Sequence, residues 1–158
     1  MAERAEAVER LGDRLEAERG LFCHLLAREA GKTLDDAIAE IREAVDFCRY
    51  YAAEARRHFA EGQLMPGPTG EENRLFLRGR GTTVCISPWN FQLAIFLGQV
   101  AAALAAGNAV IAKPAEQTPL IAFMAVRLAH ESGIPGDVLG FLPGDGKVGA
   151  LLTADPRV

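Results

Sequence analysis

The chain has 158 residues, 49% of them hydrophobic and 24% charged, with a formal net charge of −4. That length makes one domain, able to bury roughly two thirds of its unfolded surface. The acidic balance excludes a nucleic-acid partner, which wants a basic stripe. No apolar run reaches the roughly 18 residues of a membrane span, Gln99 interrupts the best one, and the charged first helix excludes a secretory signal. Cys23, Cys48 and Cys85 are too few and too scattered for a disulfide framework or a metal site. They read as buried free thiols in a cytoplasmic protein. His24, His58 and His130 lie singly, without ligand spacing, as surface or boundary residues.

Val8, Leu11 and Leu15 recur at helical spacing among Glu and Arg, predicting an amphipathic helix over 2–18 that Gly20 breaks. Leu21 to Ala27 gives a shorter helix, closed by Gly31 in the left-handed C′ position. Thr33 and Asp36 read as a capping box for the longest helix, about 34–60. Its apolar seam runs through Leu34, Ile38, Ile41, Val45, Cys48, Ala52, Ala55 and Phe59. Its outer face carries Asp35, Glu40, Arg42, Glu43, Arg49, Glu54 and Arg57. Residues 62–73, centred on Pro66-Gly67-Pro68, form a loop, and 74–78 alternates as a short strand before the Gly79-Arg80-Gly81 turn.

Thr82 to Ile86 lacks polar alternation, predicting a strand buried on both faces. Leu93 to Ala106 is an almost wholly apolar helix stopped by Gly107. Ala109 to Ala112 is a second buried strand running into Lys113-Pro114. Thr118 caps the next helix, with Pro119 at its first position. Val138 to Leu142 is a third strand, followed by a glycine-rich turn over 143–149 and a final helix to about Ala154. Right-handed crossovers turn this β-α-β-α-β-α order into a parallel three-stranded sheet. The expected class is α/β, with a helical lead-in over 1–61, a loop and short strand over 62–81, and a partial Rossmann-like parallel sheet over 82–158. Such a partial sheet leaves an open edge strand, which invites aggregation.

The turns after the first and second strands fall at the carboxyl edge of that sheet, where open α/β sheets bind ligands. Asn90 follows the first strand, and its amide could donate to a charge developing on a substrate oxygen. On spacing alone, a turn residue ahead of the buried helix is the stronger reading. Lys113 and Glu116 leave the second strand, where a dinucleotide fold keeps its ribose-binding acid; an exposed ion pair is the equal alternative. Gly144-Asp145-Gly146-Lys147-Val148-Gly149 spells GxGxxG between strand and helix. It follows the third strand rather than the first, so cofactor lining and a tight turn needing positive φ both stay open.

Ser87-Pro88-Trp89-Asn90-Phe91, Ala106-Gly107-Asn108 and Lys113-Pro114-Ala115-Glu116 with Thr118-Pro119 resemble the aldehyde dehydrogenase superfamily. Glu29-Ala30-Gly31-Lys32-Thr33, Gly98 to Ala103 and Ala115 to Ile121 are similar, more narrowly, to the L-glutamate γ-semialdehyde dehydrogenase module of the bifunctional proline utilization A proteins. The resemblance implies NAD-dependent oxidation of an aldehyde through a cysteine thiolate, here L-glutamate γ-semialdehyde to L-glutamate in proline catabolism. It implies that Asn90 is the oxyanion donor and that Lys113 and Glu116 hold the adenosine ribose. Ile86, Ser87, Pro88, Trp89 and Ala115 then line the cofactor groove, and Gly146 and Gly149 the adenine pocket. The implied partners are a small-molecule aldehyde and further copies of a homo-oligomeric enzyme, with a proline dehydrogenase module as an optional fusion.

The sequence departs from that pattern at Gln92, where the family usually has proline, and in a shorter glycine turn. The family's catalytic cysteine and general-base glutamate are expected beyond Val158, and its opening segment before Met1. The chain therefore reads as an internal fragment, inactive alone. The competing readings are a fragment acting on an aliphatic or succinic semialdehyde, and a truncated product that at most binds adenine nucleotide.

Overall fold

Three helices come first in the computed structural model, which describes residues 1–158: α1 (Ala2–Ala17), α2 (Arg19–Ala30) and α3 (Leu34–Phe59). A hairpin of β1 (Gln63–Met65) and β2 (Asn73–Leu75) follows, then β3 (Thr82–Ile86), α4 (Ala94–Ala105), β4 (Ala109–Lys113), α5 (Pro119–Glu131), β5 (Leu139–Phe141) and α6 (Gly146–Ala154). The break between α1 and α2 falls at Glu18, and Gly20 lies inside α2. Gly31 does close α2 in the left-handed region, at φ 68°, which a side chain would disfavour.

Thr33 opens α3 by accepting from the Asp36 N–H at 3.2 Å. The Asp36 carboxylate takes the Thr33 hydroxyl at 2.7 Å, so only half of the reciprocal capping box forms. The buried stripe of α3 runs through Ala37, Glu40, Ile41, Ala44, Val45, Cys48, Ala52 and Ala55. Leu34 and Ile38 stay exposed, at 65% and 43%. The small residues Ala37 and Ala44 centre the contact, because they let neighbouring helices approach, and that rotation carries Glu40 inward from the outer face. The approach is close: a Cβ on Gly12 of α1 would lie 3.1 Å from Cys48 Cβ. Residues 62–73 hold β1, pairing antiparallel with β2 at Leu64 and Arg74, where a loop was expected. Three exposed residues between Gly62 and Pro66 carry too little pattern to read as a strand.

The second sheet is parallel, in the order β3-β4-β5. Side chains alternate across it, so Cys85, Val110, Ala112 and Leu139 point to one face, where they are buried. Helices α4 and α5 pack on this sheet. Val84, Ile86, Ile111 and Lys113 point to the other face, where Gly149 of α6 lies beside Ile86 and Lys113. Within β3 only Cys85 is buried, so this strand is not covered on both faces as its apolar sequence predicted. It is an edge strand with one well-packed side. A single cluster of 35 buried residues, from Ala5 to Leu139, joins the helical lead-in to the sheet. No helix is long and apolar enough to cross a membrane.

The lead-in also terminates the sheet helices. Thr118 makes no side-chain cap to α5; instead the Glu29 carboxylate accepts from the Leu120 and Ile121 N–H groups at 2.7 and 2.9 Å. Glu40 serves α4 in the same way, accepting from Leu93 and Ala94. At the opposite ends, Arg4 Nε donates to the Ala105 carbonyl at 2.9 Å and Arg10 Nε to that of Ser132 at 3.0 Å. Each helix therefore has acid at its positive end and arginine at its negative end.

Candidate functional site

Strands β3 and β4 end side by side. Ile86 pairs with Lys113, and the Ser87 N–H donates to the Lys113 carbonyl at 3.2 Å. The Leu142 N–H donates to the Ala112 carbonyl at 3.0 Å, so the turn after β5 leaves at the same edge. Three segments thus converge on one carboxyl edge: Ser87 to Asn90, Pro114 to Glu116, and Pro143 to Gly146.

Lys113 is 5% exposed, and its ammonium has one hydrogen bond, to the Pro114 carbonyl at 3.1 Å. An ammonium has three donors, so two are left over. Glu116 is exposed on the adjoining turn, with Ala115 half-buried between them. The two charges form no ion pair, which removes the surface-pair alternative. Ser87 is 6% exposed and its hydroxyl has no partner. Pro88 is half-buried, Trp89 is 56% exposed, and Asn90 opens to solvent.

The glycine motif is helix rather than loop over most of its length. Gly146 is the first residue of α6, and the Asp145 carboxylate caps it by accepting from the Lys147 and Val148 N–H groups at 2.9 and 3.3 Å. None of Gly144, Gly146 and Gly149 has positive φ, so a left-handed turn is not what these glycines serve. At Gly144 a Cβ would lie 2.5 Å from Val148 Cγ2, a close approach that only glycine permits. Gly146 faces open space, and a Cβ on Gly149 would rest 3.6 Å from Lys113 Cε. Ile86, Lys113 and Gly149 therefore meet at one place, where Lys113 keeps two donors unspent. The unspent ammonium donors of Lys113 suit a hydroxyl-bearing ligand.

The turn after Asn90 is held by residues the sequence did not single out as functional. Glu40 is 2% exposed and contacts the first turn of α4, and its Oε2 lies 2.9 Å from Lys32 Nζ. The one signal for them was an omission, since residues 91–94 contain no Ser, Thr, Asp or Asn to cap a helix. The cysteines stand apart from the edge. Cys48 is pushed up to about 12 and Cys85 to about 11, chiefly by burial. Cys23 is half-buried rather than buried.

Six helices with a parallel three-stranded sheet, its turns converging on one carboxyl edge, define an α/β class of fold. The chain belongs to the aldehyde dehydrogenase family, whose model matches residues 1–158. It is 50% identical over 154 residues to the bifunctional protein PutA of Rhizobium meliloti, covering 98% of this chain and 11% of that protein. A solved mutant of proline utilization A from Bradyrhizobium japonicum superposes with a TM-score of 0.96 at 60% identity, over 99% of this chain and 16% of the other. A 1-pyrroline-5-carboxylate dehydrogenase from Thermus, solved with bound NAD, gives 0.95 at 36% identity, over 99% and 31%. The chain thus spans about a tenth of the length of its curated bifunctional relative.

Proposed function

We propose that this chain is the first part of the NAD-binding domain of an enzyme that oxidises L-glutamate γ-semialdehyde to L-glutamate in proline catabolism. The observation that carries the cofactor half is Lys113, a buried ammonium with unspent donors at a ligand-binding edge. Lys113 and Glu116 hold the ribose hydroxyls, one donating and one accepting. Ile86, Ser87, Pro88, Trp89 and Ala115 line the groove, and Gly146 and Gly149 admit the adenine. The Glu116 carboxylate repels a 2′-phosphate, which favours NAD over NADP. When bound, NAD supplies the hydride acceptor. Asn90 donates its amide hydrogen to the aldehyde oxygen as that oxygen gains charge. The similarity to PutA and to 1-pyrroline-5-carboxylate dehydrogenase supports the substrate. The three free thiols fit the reducing cytoplasm, and the complete enzyme is a homo-oligomer that can carry a fused proline dehydrogenase module.

The test is Asn90→Ala in the complete enzyme, assayed with L-glutamate γ-semialdehyde against succinic and aliphatic semialdehydes. Loss of one oxyanion donor lowers kcat by about 10²–10³-fold with NAD affinity unchanged. An unchanged kcat would sink the role of Asn90, and a preference for another aldehyde would sink the substrate.

A further inference from the structure

The turn that carries Asn90 has no local anchor. Leu93, at the N-cap of α4, has an aliphatic side chain, φ −103° and ψ −54°, and the first turn of the helix holds no acid. Helix starts need acceptors for their free N–H groups, and here the start is buried. Glu40 provides them from α3, across 53 positions of sequence: its Oε1 accepts from Leu93 N at 2.8 Å and from Ala94 N at 3.3 Å. Its other oxygen lies 2.9 Å from Lys32 Nζ, a charge pair that lacks hydrogen-bond alignment. The same ammonium sits 4.6 Å from the centroid of the Phe91 ring, a cation–π distance. The segment after Asn90 is therefore gripped twice, by backbone at 93–94 and by the ring of the residue next to Asn90.

Capping alone does not account for this arrangement. Glu29 caps α5 with two hydrogen bonds, at 2.7 and 2.9 Å, yet no ammonium pairs with it. The Lys32 arm reaches past the helix end, onto the ring of the residue next to Asn90.

We propose that Glu40 and Lys32 are a positioning pair that fixes the direction of the Asn90 amide. The inference rests on Asn90 being the oxyanion donor. Such donors act only from a fixed place, and displacement of a catalytic group by 1 Å costs on the order of 10²-fold in rate.

The experiment compares Glu40→Gln, Lys32→Met, Lys32→Arg, Asn90→Ala and the double variant E40Q/N90A in the complete enzyme, with Glu29→Gln as a capping control. Glu40→Gln and Lys32→Met are expected to lower kcat by about ten-fold with KM for NAD unchanged. Lys32→Arg keeps charge and stacking and retains most of kcat. In the Asn90→Ala background, Glu40→Gln causes no further loss, because both changes remove one function. Equal losses in both backgrounds would overturn the pairing, as would a kcat no lower than that of Glu29→Gln at matched melting temperature. An Asn90→Ala enzyme with unchanged kcat would overturn the donor role and the pair with it, and that arm reads the donor role on its own. If Glu40→Gln does not fold, Lys32→Met carries the same comparison, since the Lys32 side chain is still 17% exposed and its loss leaves the backbone cap intact.

Discussion

Lys113 is in an arrangement that costs stability. A buried ammonium normally needs an opposite charge, and this one has a single carbonyl. Lys113→Met keeps the length of the side chain and removes the charge. It is expected to leave urea stability unchanged or raised by about 1 kcal/mol, while NAD affinity falls about ten-fold for a lost hydrogen bond from a charged group. Denaturation and NAD titration on the same variant check both signs. A loss of stability together with retained affinity would make Lys113 a packing residue. Its position was legible in the sequence, because a lysine directly before Pro114 ends a short apolar run. Its burial was not, since burial depends on α6 lying over Lys113 and Ile86. Glu40 was misread for a related reason: it stands near Arg42 and Glu43 on a strongly charged helix, and only the packing of Ala37 and Ala44 shows which way the stripe turns.

At the scale of the elements, helical spacing located α1 and α3, and apolar runs located α4 and the parallel strands. Caps were the weak point, because sequence reasoning looks for a cap next door. Thr118 beside Pro119 satisfies the local rule, yet its hydroxyl is buried without a partner, and Glu29 does the capping from α2. Two substitutions separate the alternatives in urea unfolding of the 158-residue chain. Thr118→Val keeps the shape and removes an unpartnered hydroxyl, so it is expected to leave stability unchanged or raise it by about 1 kcal/mol. Glu29→Ala leaves two N–H donors at a helix start without acceptors and is expected to cost about 1–2 kcal/mol. The reverse order would restore Thr118 as the cap. The glycine motif failed in a similar way. Its spelling suggested a loop, but Asp145 starts α6 at Gly146, and the tight requirement for glycine sits at Gly144, against Val148.

For the whole molecule, the distribution of thiols against the carboxyl edge decides what the chain can do by itself. Cys48 lies between α1 and α3, and Cys85 points to the sheet face opposite Ile86 and Lys113. With burial holding Cys85 near 11, about a thousandth of it is thiolate at pH 8, and Cys48, near 12, ionises still less. Both shifts have the same sign: the folded form keeps its protons, so stability from these groups is present below the usual thiol range and is lost as pH rises towards 11 and 12. Cys23 is only half-buried, but it sits in α2 and packs against the core. On the proposed reading the carboxyl edge serves the cofactor, and none of the three thiols is placed at it. Purified 158-residue chain is expected to bind NAD more tightly than NADP in calorimetric titration, yet to form no NADH from L-glutamate γ-semialdehyde, at pH 8 or above. The control is a variant with Cys23, Cys48 and Cys85 all replaced by alanine. NADH formation by the native chain that disappears in this variant would show that one of the three thiols does reach the edge, and the separation of cofactor edge from nucleophile would then be wrong.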